Sequence, residues 1–216
     1  MIRLDVEQGS PGWIEARLGL PTASRFDEII TPKTLKLSAS SEKYRNELLA
    51  EWLLGVSLSG GDDSDFMTRG KALEDEARSW YELQHDVEVD RVGFVMRDDQ
   101  RAGCSPDGFV GVDGGLEIKC PSAAVHVGYL LGDVATAYRC QVQGSLWITG
   151  REWWDVLSYH PSLPKAYVRT YRNEEFIAAL EKLHGQFWEY LQEGKEALRR
   201  RGIHPLAEQA GLRLVA

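Results

Sequence analysis

Apolar residues recur at helical spacing through the first part of the chain. Ser10-Pro11 reads as an N-cap followed by proline at the first helical position, and Gly19 closes that short helix. Thr22 starts a second helix running to about Ile30, and Glu42 to Leu54 forms a third, closed by Gly55. A fourth runs from about Phe66 to Leu83. On it Leu73, Ala77 and Trp80 form an apolar stripe, with Glu74 and Tyr81 along its edge. Thr31 to Ser40 and Ser57 to Asp65 read as loops joining these helices at ordinary length.

The period then changes. Val87 to Met96 has the β-branched and aromatic content of a strand. Gly108 to Gly111 and Leu116 to Ile118 flank Val112-Asp113-Gly114-Gly115, a hairpin signal. A helix from about Val134 to Ile148 follows, with Val134, Tyr138, Gln141, Ser145 and Ile148 on one stripe. Strand-like Trp153 to Tyr159 and Ala166 to Tyr171 lead into a closing helix from about Asn173 to Arg200. Helices, a meander of strands, a helix and more strands predict a mixed α/β core, a central sheet flanked by helices. There is no internal repeat. The chain reads as one domain over residues 1–216, its N-terminal helices (10–84) packed on a core (87–172) and followed by the C-terminal helix (173–200).

Composition narrows the classes. The chain of 216 residues is 43% hydrophobic, enough for one substantial core, and no stretch approaches the apolar length of a membrane span. Its start lacks the apolar run of a signal peptide, so a cytoplasmic location is expected. Three cysteines without C-x-x-C spacing suit buried thiols in a reducing compartment. A formal net charge of −8 argues against a broad basic surface, although a local groove can still be positive.

Against this background the hairpin is odd. It carries Asp107 at the beginning of its first strand, and Glu117 and Lys119 on its second, beside apolar Val110, Leu116 and Ile118. Alternation puts Glu117 and Lys119 on the face opposite Leu116 and Ile118. Buried charges need partners or a metal. Two carboxylates on adjacent strands can converge on Mg²⁺, and a lysine on the same face can orient or deprotonate a water, or neutralise charge developing on a phosphate. A surface hairpin with a solvated Glu–Lys pair is the plainer alternative. Glu74 and Gln141, polar residues at the edges of apolar helix stripes, add to the first reading. Arg17, preceding Thr22 and Ser24 at a helix start, could receive a phosphate, or could be a surface arginine beside an ordinary cap.

Together these stretches resemble the PD-(D/E)xK nuclease superfamily, and more narrowly the lambda-type alkaline exonucleases of phage recombination. The resemblance rests on Trp13…Ala16-Arg17-Leu18-Gly19 with Thr22-Ala23-Ser24, on Gly70 to Arg78, on Ala102 to Gly108, on Gly115 to Pro121 and on Ala137-Tyr138…Gln141-Val142-Gln143. It implies a restriction-endonuclease-like core. Asp107, Glu117 and the carbonyl of Ile118 would bind Mg²⁺, with Mn²⁺ as a substitute. Lys119 would position the attacking water, Glu74 would support the metal site, and Gln141 would help hold Lys119 or the water. Arg17, Ser24 and Ser105 fall where the family grips a 5′-phosphate, and Met67 where it inserts a strand-separating wedge.

The implied activity is 5′→3′ removal of nucleotides from one strand of duplex DNA, leaving a 3′ single strand. A homotrimeric ring, a single-strand annealing protein as partner, and a phage or prophage origin in a bacterial host complete the expectation. An endonuclease of the same superfamily, or a non-catalytic module binding DNA ends or a partner protein, are the alternatives. The retention of Asp107, Glu117, Lys119, Glu74 and Gln141 argues against the last.

Overall fold

A computed structural model describes residues 1–58, 64–132 and 134–208, with the backbone alone for residues 64–72. The chain opens with strand β1 (Ile2–Leu4), helix α1 (Pro11–Arg17) and a 3-10 helix (Ala23–Glu28). Strands β2 (Ile30–Thr31) and β3 (Lys36–Leu37) and helices α2 (Ser41–Leu54) and α3 (Ser64–His85) follow. Next come strands β4 (Val89–Asp90), β5 (Phe94–Met96), β6 (Gly103–Cys104), β7 (Gly108–Val110) and β8 (Gly114–Lys119). Helices α4 (Ala123–Leu131), α5 (Val134–Ala137) and α6 (Arg139–Thr149), strands β9 (Trp153–Ser158) and β10 (Ala166–Tyr171) and the long α7 (Glu174–Arg200) complete it.

The central sheet has the order β10-β9-β8-β7-β4. Strands β8 and β9 are parallel, and the other pairs are antiparallel. A mixed sheet covered on both faces is what the alternation of helical and strand patterns predicts. On one face Trp154 and Val156 join Phe26, Leu146, Phe176 and Phe187 in the larger core. On the other, Leu116, Ile118 and Leu157 meet Ala77 and Tyr81 of α3. Tyr81 is therefore central to this layer rather than at the edge of the helix stripe. Its hydroxyl donates to Asp155 on β9, a fully buried carboxylate that also accepts from Tyr167 and from both prongs of Arg169. Among the described residues no helix is long and apolar enough to cross a membrane.

Several elements depart from the sequence expectation, each for a tertiary reason. The stretch from Thr22 to Ile30 is a 3-10 helix kinked at Arg25 rather than an α-helix. The Arg25 guanidinium is drawn to Glu28 and to Glu47 of α2. The loop expected over Thr31 to Ser40 contains the β2–β3 pairing. Val87 to Met96 is two strands in two sheets, because β1 pairs with β5 instead. The break falls at Gly93, where a Cβ would lie 1.6 Å from the Val6 carbonyl oxygen, so the N-terminal segment crosses the chain in contact with its backbone.

The helix expected from Val134 to Ile148 is divided at Tyr138, whose hydroxyl meets that of Tyr129, 2.9 Å away. Helix α4 had no signal. Its sequence is apolar on every side, so no stripe stands out, and Val125, Val127, Leu130 and Leu131 stay exposed while His126 is buried. Ser158 and the Pro164 carbonyl hold the His126 ring at 2.7 Å each.

The crossing at Gly93 is testable. Gly93→Ala forces the Val6 backbone away and should cost about 1–3 kcal/mol, as overpacking does. The urea midpoint should fall accordingly. An unchanged midpoint would mean that the N-terminal segment yields without strain.

Candidate active site

The site forms where the ladder between β7 and β8 ends. Gly108 pairs with Leu116, and the Asp107 N–H donates to the Leu116 carbonyl at 3.1 Å. Continued in register, Ile118 would next face residue 106. That residue is proline, which has no N–H to give to the Ile118 carbonyl. The Ile118 N–H donates instead to Oδ2 of Asp107, at 2.6 Å. One carboxylate thus replaces a missing strand partner and is fixed by it. Strand alternation directs the Ile118 carbonyl toward this same open edge.

Glu117 is 4% exposed on the opposite side of β8 from Leu116 and Ile118, so the alternation expected from sequence holds. Its Oε1 receives Lys119 Nζ at 2.7 Å and Gln141 Nε2 of α6 at 2.6 Å. The Lys119 ammonium also lies 4.6 Å from the centroid of the Tyr138 ring, placed by the break between α5 and α6. Burial works against the Lys119 charge, but Glu117 and Asp107 outweigh it and hold its pKa above the ordinary lysine value. Gln141 grips the carboxylate that Lys119 also grips.

Asp107 and Glu74 line a cleft of about 270 Å³ between α3 and the N-terminal segment. Asp107 is partly accessible there, yet burial and the neighbouring Glu117 charge push its pKa well above the carboxylate range, against the Ile118 hydrogen bond. Burial also raises Glu74, and Glu117 adds to it, while Arg78 and Lys119 oppose it.

Among the described residues, Asp107 Oδ1 and Glu117 Oε2 accept no hydrogen bond. Two open carboxylate oxygens, with the Ile118 carbonyl directed at the same edge, form a hard-oxygen donor set that fits Mg²⁺. Among the described residues no three His, Cys, Asp or Glu side chains converge closely enough to hold a metal. The remaining positions would belong to water and substrate oxygens.

A second charged site lies at the end of α1. Arg17 Nη1 and Trp13 Nε1 both donate to Ser105 Oγ, at 3.0 and 2.9 Å, and the guanidinium lies 4.2 Å from the centroid of the Trp13 ring. Arg17 lines a pocket of about 50 Å³ with Thr22, Tyr44 and Glu51. Burial lowers its pKa against the opposing pull of Tyr44 and Glu51, and among the described residues no carboxylate pairs with it directly. Glu51 is engaged by the Gly19 and Leu58 N–H groups. A largely enclosed, unpaired cation favours an anion.

The structure therefore gathers Asp107, Glu117, Ile118, Lys119, Glu74 and Gln141 around one strand end, and joins Arg17 to Ser105. Ser24 is exposed and is linked to the pocket through Thr22, with their hydroxyl oxygens 3.3 Å apart. The kinked 3-10 helix there supplies no α-helix dipole, contrary to expectation. The Met67 side chain lies outside the described residues. Sequence reasoning gave no role to Trp13 or Arg78. Trp13 carried a signal, its spacing of four from Arg17 on a short helix.

The family model for the YqaJ-like viral recombinase domain matches residues 12–152. A crystal structure of an alkaline exonuclease, LHK-Exo from Laribacter hongkongensis, superposes with a TM-score of 0.79 at 32% identity, covering 89% of this chain and 98% of that one. The structure of LHK-Exo in complex with dAMP matches with the same TM-score and coverage at 33% identity. A phage-related exonuclease from Haemophilus somnus 129PT shares the fold, with a TM-score of 0.67 at 14% identity over 83% of this chain and 96% of its own. The uncharacterized protein ExoD of Escherichia coli (strain K12) is 32% identical over 63 residues, 28% of this chain and 72% of that protein.

The crowding of carboxylates has a measurable cost. An acid whose folded pKa is raised loses stability as pH climbs from its unfolded value through the raised one. In chelator at neutral pH, Asp107→Asn should therefore melt a few degrees above wild type, since Asn can still accept from Ile118. The gain should vanish below the carboxylate range. A variant less stable than wild type at neutral pH would show that the ionised carboxylate is stabilising.

Proposed function

The chain belongs to the YqaJ-like viral recombinase family, and from that premise we propose a Mg²⁺-dependent 5′→3′ exonuclease acting on linear duplex DNA. It is a deoxyribonuclease of the recombination-exonuclease type. The observation that supports the finer reading is the pairing of two unlike sites. One is an anion-rich strand end where, among the described residues, Asp107 Oδ1 and Glu117 Oε2 accept no hydrogen bond, and the other is a half-buried arginine that makes no ion pair with those residues.

In this reading Asp107, Glu117 and the Ile118 carbonyl hold Mg²⁺, for which Mn²⁺ can substitute, with Glu74 supporting the site. When bound, the ion would polarise the scissile phosphate and lower the barrier to attack by water. Lys119, paired with Glu117, orients the water and offsets charge gathering on the phosphate. Gln141 keeps the shared Glu117 oxygen directed at Lys119. Arg17 and Ser105 hold the 5′-phosphate, with Ser24 at the rim, and so set polarity. Met67 is proposed as the wedge from the family resemblance alone. The same resemblance supports a homotrimeric ring, a single-strand annealing partner, and a phage or prophage protein acting in a bacterial cytoplasm. Enclosure of the DNA would reconcile processive action with a net charge of −8.

Linear duplex with and without a 5′-phosphate tests the core of this. Excess chelator should stop digestion, and Asp107→Ala should abolish it with the fold intact. Arg17→Ala should slow the 5′-phosphorylated duplex strongly and the 5′-hydroxyl duplex only slightly, bringing the two rates together. Equal slowing of both would make Arg17 a general DNA contact. Lys119→Arg should not restore the rate lost in Lys119→Ala, because a planar guanidinium fits the place of an ammonium poorly. Light scattering should give about three times the chain mass of 24.3 kDa.

A further inference from the structure

The Asp107 carboxylate is fixed through Ile118, but its backbone sits at a strand end where the ladder has stopped. The carbonyls of Pro106 and Asp107 must find partners elsewhere. Gln8 supplies the first, since its Nε2 donates to the Pro106 carbonyl at 2.8 Å and to the Val92 carbonyl at 2.9 Å. Gln8 belongs to the N-terminal segment that crosses Gly93, so it ties that crossing to the residue preceding Asp107.

Arg78 supplies the second. It is 8% exposed on α3, with Nη2 on the Asp107 carbonyl at 3.3 Å and Nη1 on Asp75 at 2.7 Å. Asp75 is held in turn by Arg91 at 2.8 Å. Among the described residues the buried Arg78 Nε–H has no hydrogen-bond partner.

We propose that Gln8 and Arg78 are positioning residues for Asp107, setting the backbone so that its carboxylate presents Oδ1 to the divalent cation. The inference rests on the reading of Asp107 as a metal ligand. Neither residue touches the cation. They act through the main chain, one from the N-terminal segment and one from α3, at the two walls of the cleft. Outer partners of metal ligands typically change metal affinity about 10–100-fold when removed.

Calorimetric titration of the DNA-free protein with Mn²⁺ gives a readout independent of turnover. Gln8→Met, similar in length but without the donor, should weaken Mn²⁺ binding about ten-fold, and Arg78→Met at least as much. Arg78→Lys should recover part of the loss. The Mg²⁺ concentration for half-maximal digestion should rise in step, while the melting temperature of Gln8→Met in chelator stays within a few degrees of wild type. Wild-type Mn²⁺ affinity in folded Gln8→Met would overturn the proposal, leaving these residues as structural ties alone. Asp107→Asn is the control for the premise. If it binds Mn²⁺ like wild type, the metal reading itself fails. If it loses binding while both Met variants keep it, only the positioning role fails.

Discussion

The candidate active site turns on one hydrogen bond, from the Ile118 N–H to the Asp107 carboxylate. A proline at position 106 ends the β7–β8 ladder without supplying a donor, so a side chain completes what the backbone cannot. The consequence is geometric. Asp107 is pulled beside Glu117, and the Ile118 carbonyl is left facing the same gap. Ordinary strand pairing would have consumed these groups in the sheet. Interrupting it leaves oxygen donors at the end of two inner strands of the central sheet, whose pairing holds them in place.

Electrostatics divides the molecule between two opposite deficits. At the strand end carboxylates outnumber the cations that meet them, and burial raises Asp107 and Glu74 together. In the Arg17 pocket the imbalance is reversed, with a half-buried guanidinium that, among the described residues, donates to the Ser105 hydroxyl and pairs with no carboxylate. Each is unfavourable alone, and each would be relieved by a ligand of opposite charge, a cation at the strand end and a phosphate beside Arg17. Ser105 lies two residues before Asp107, so one short segment links both sites. An acidic total charge is compatible with a DNA enzyme built this way, because the attraction is local.

The buried Asp155 cluster has a structural part in this arrangement. By accepting from Tyr81 of α3 and from Tyr167 and Arg169 of β10, it bonds α3 to the sheet across the core. That contact sets where α3 lies, and hence where Glu74 and Arg78 stand relative to Asp107. The N-terminal segment closes the other side of the cleft, pressed against Gly93 and tied to Pro106 through Gln8.

Much of this was legible in the sequence. The boundaries of α1, α2 and α7 followed from Pro, Gly and Asn signals acting within a few residues, and the alternation of Leu116, Glu117, Ile118 and Lys119 assigned each side chain to its face of the strand. The candidate residues Asp107, Glu117 and Lys119 were visible because charges inside an apolar hairpin need a reason. What the sequence could not decide depended on partners distant along the chain. Val87 to Met96 has uniform strand character, yet it divides between two sheets because Val6 crosses at Gly93. The Thr22 to Ile30 stretch has helical spacing, yet Glu47 draws Arg25 away from α-helical geometry. Helix α4 lacks an apolar stripe because every side of it is apolar. Arg78 has no role assigned by the sequence pattern, and only the fold brings its guanidinium to the carbonyl of Asp107. Local patterns determine which segments are helix or strand and which faces they bury. Which segments meet, and therefore which charges are left without a partner, is decided by contacts between residues far apart in sequence.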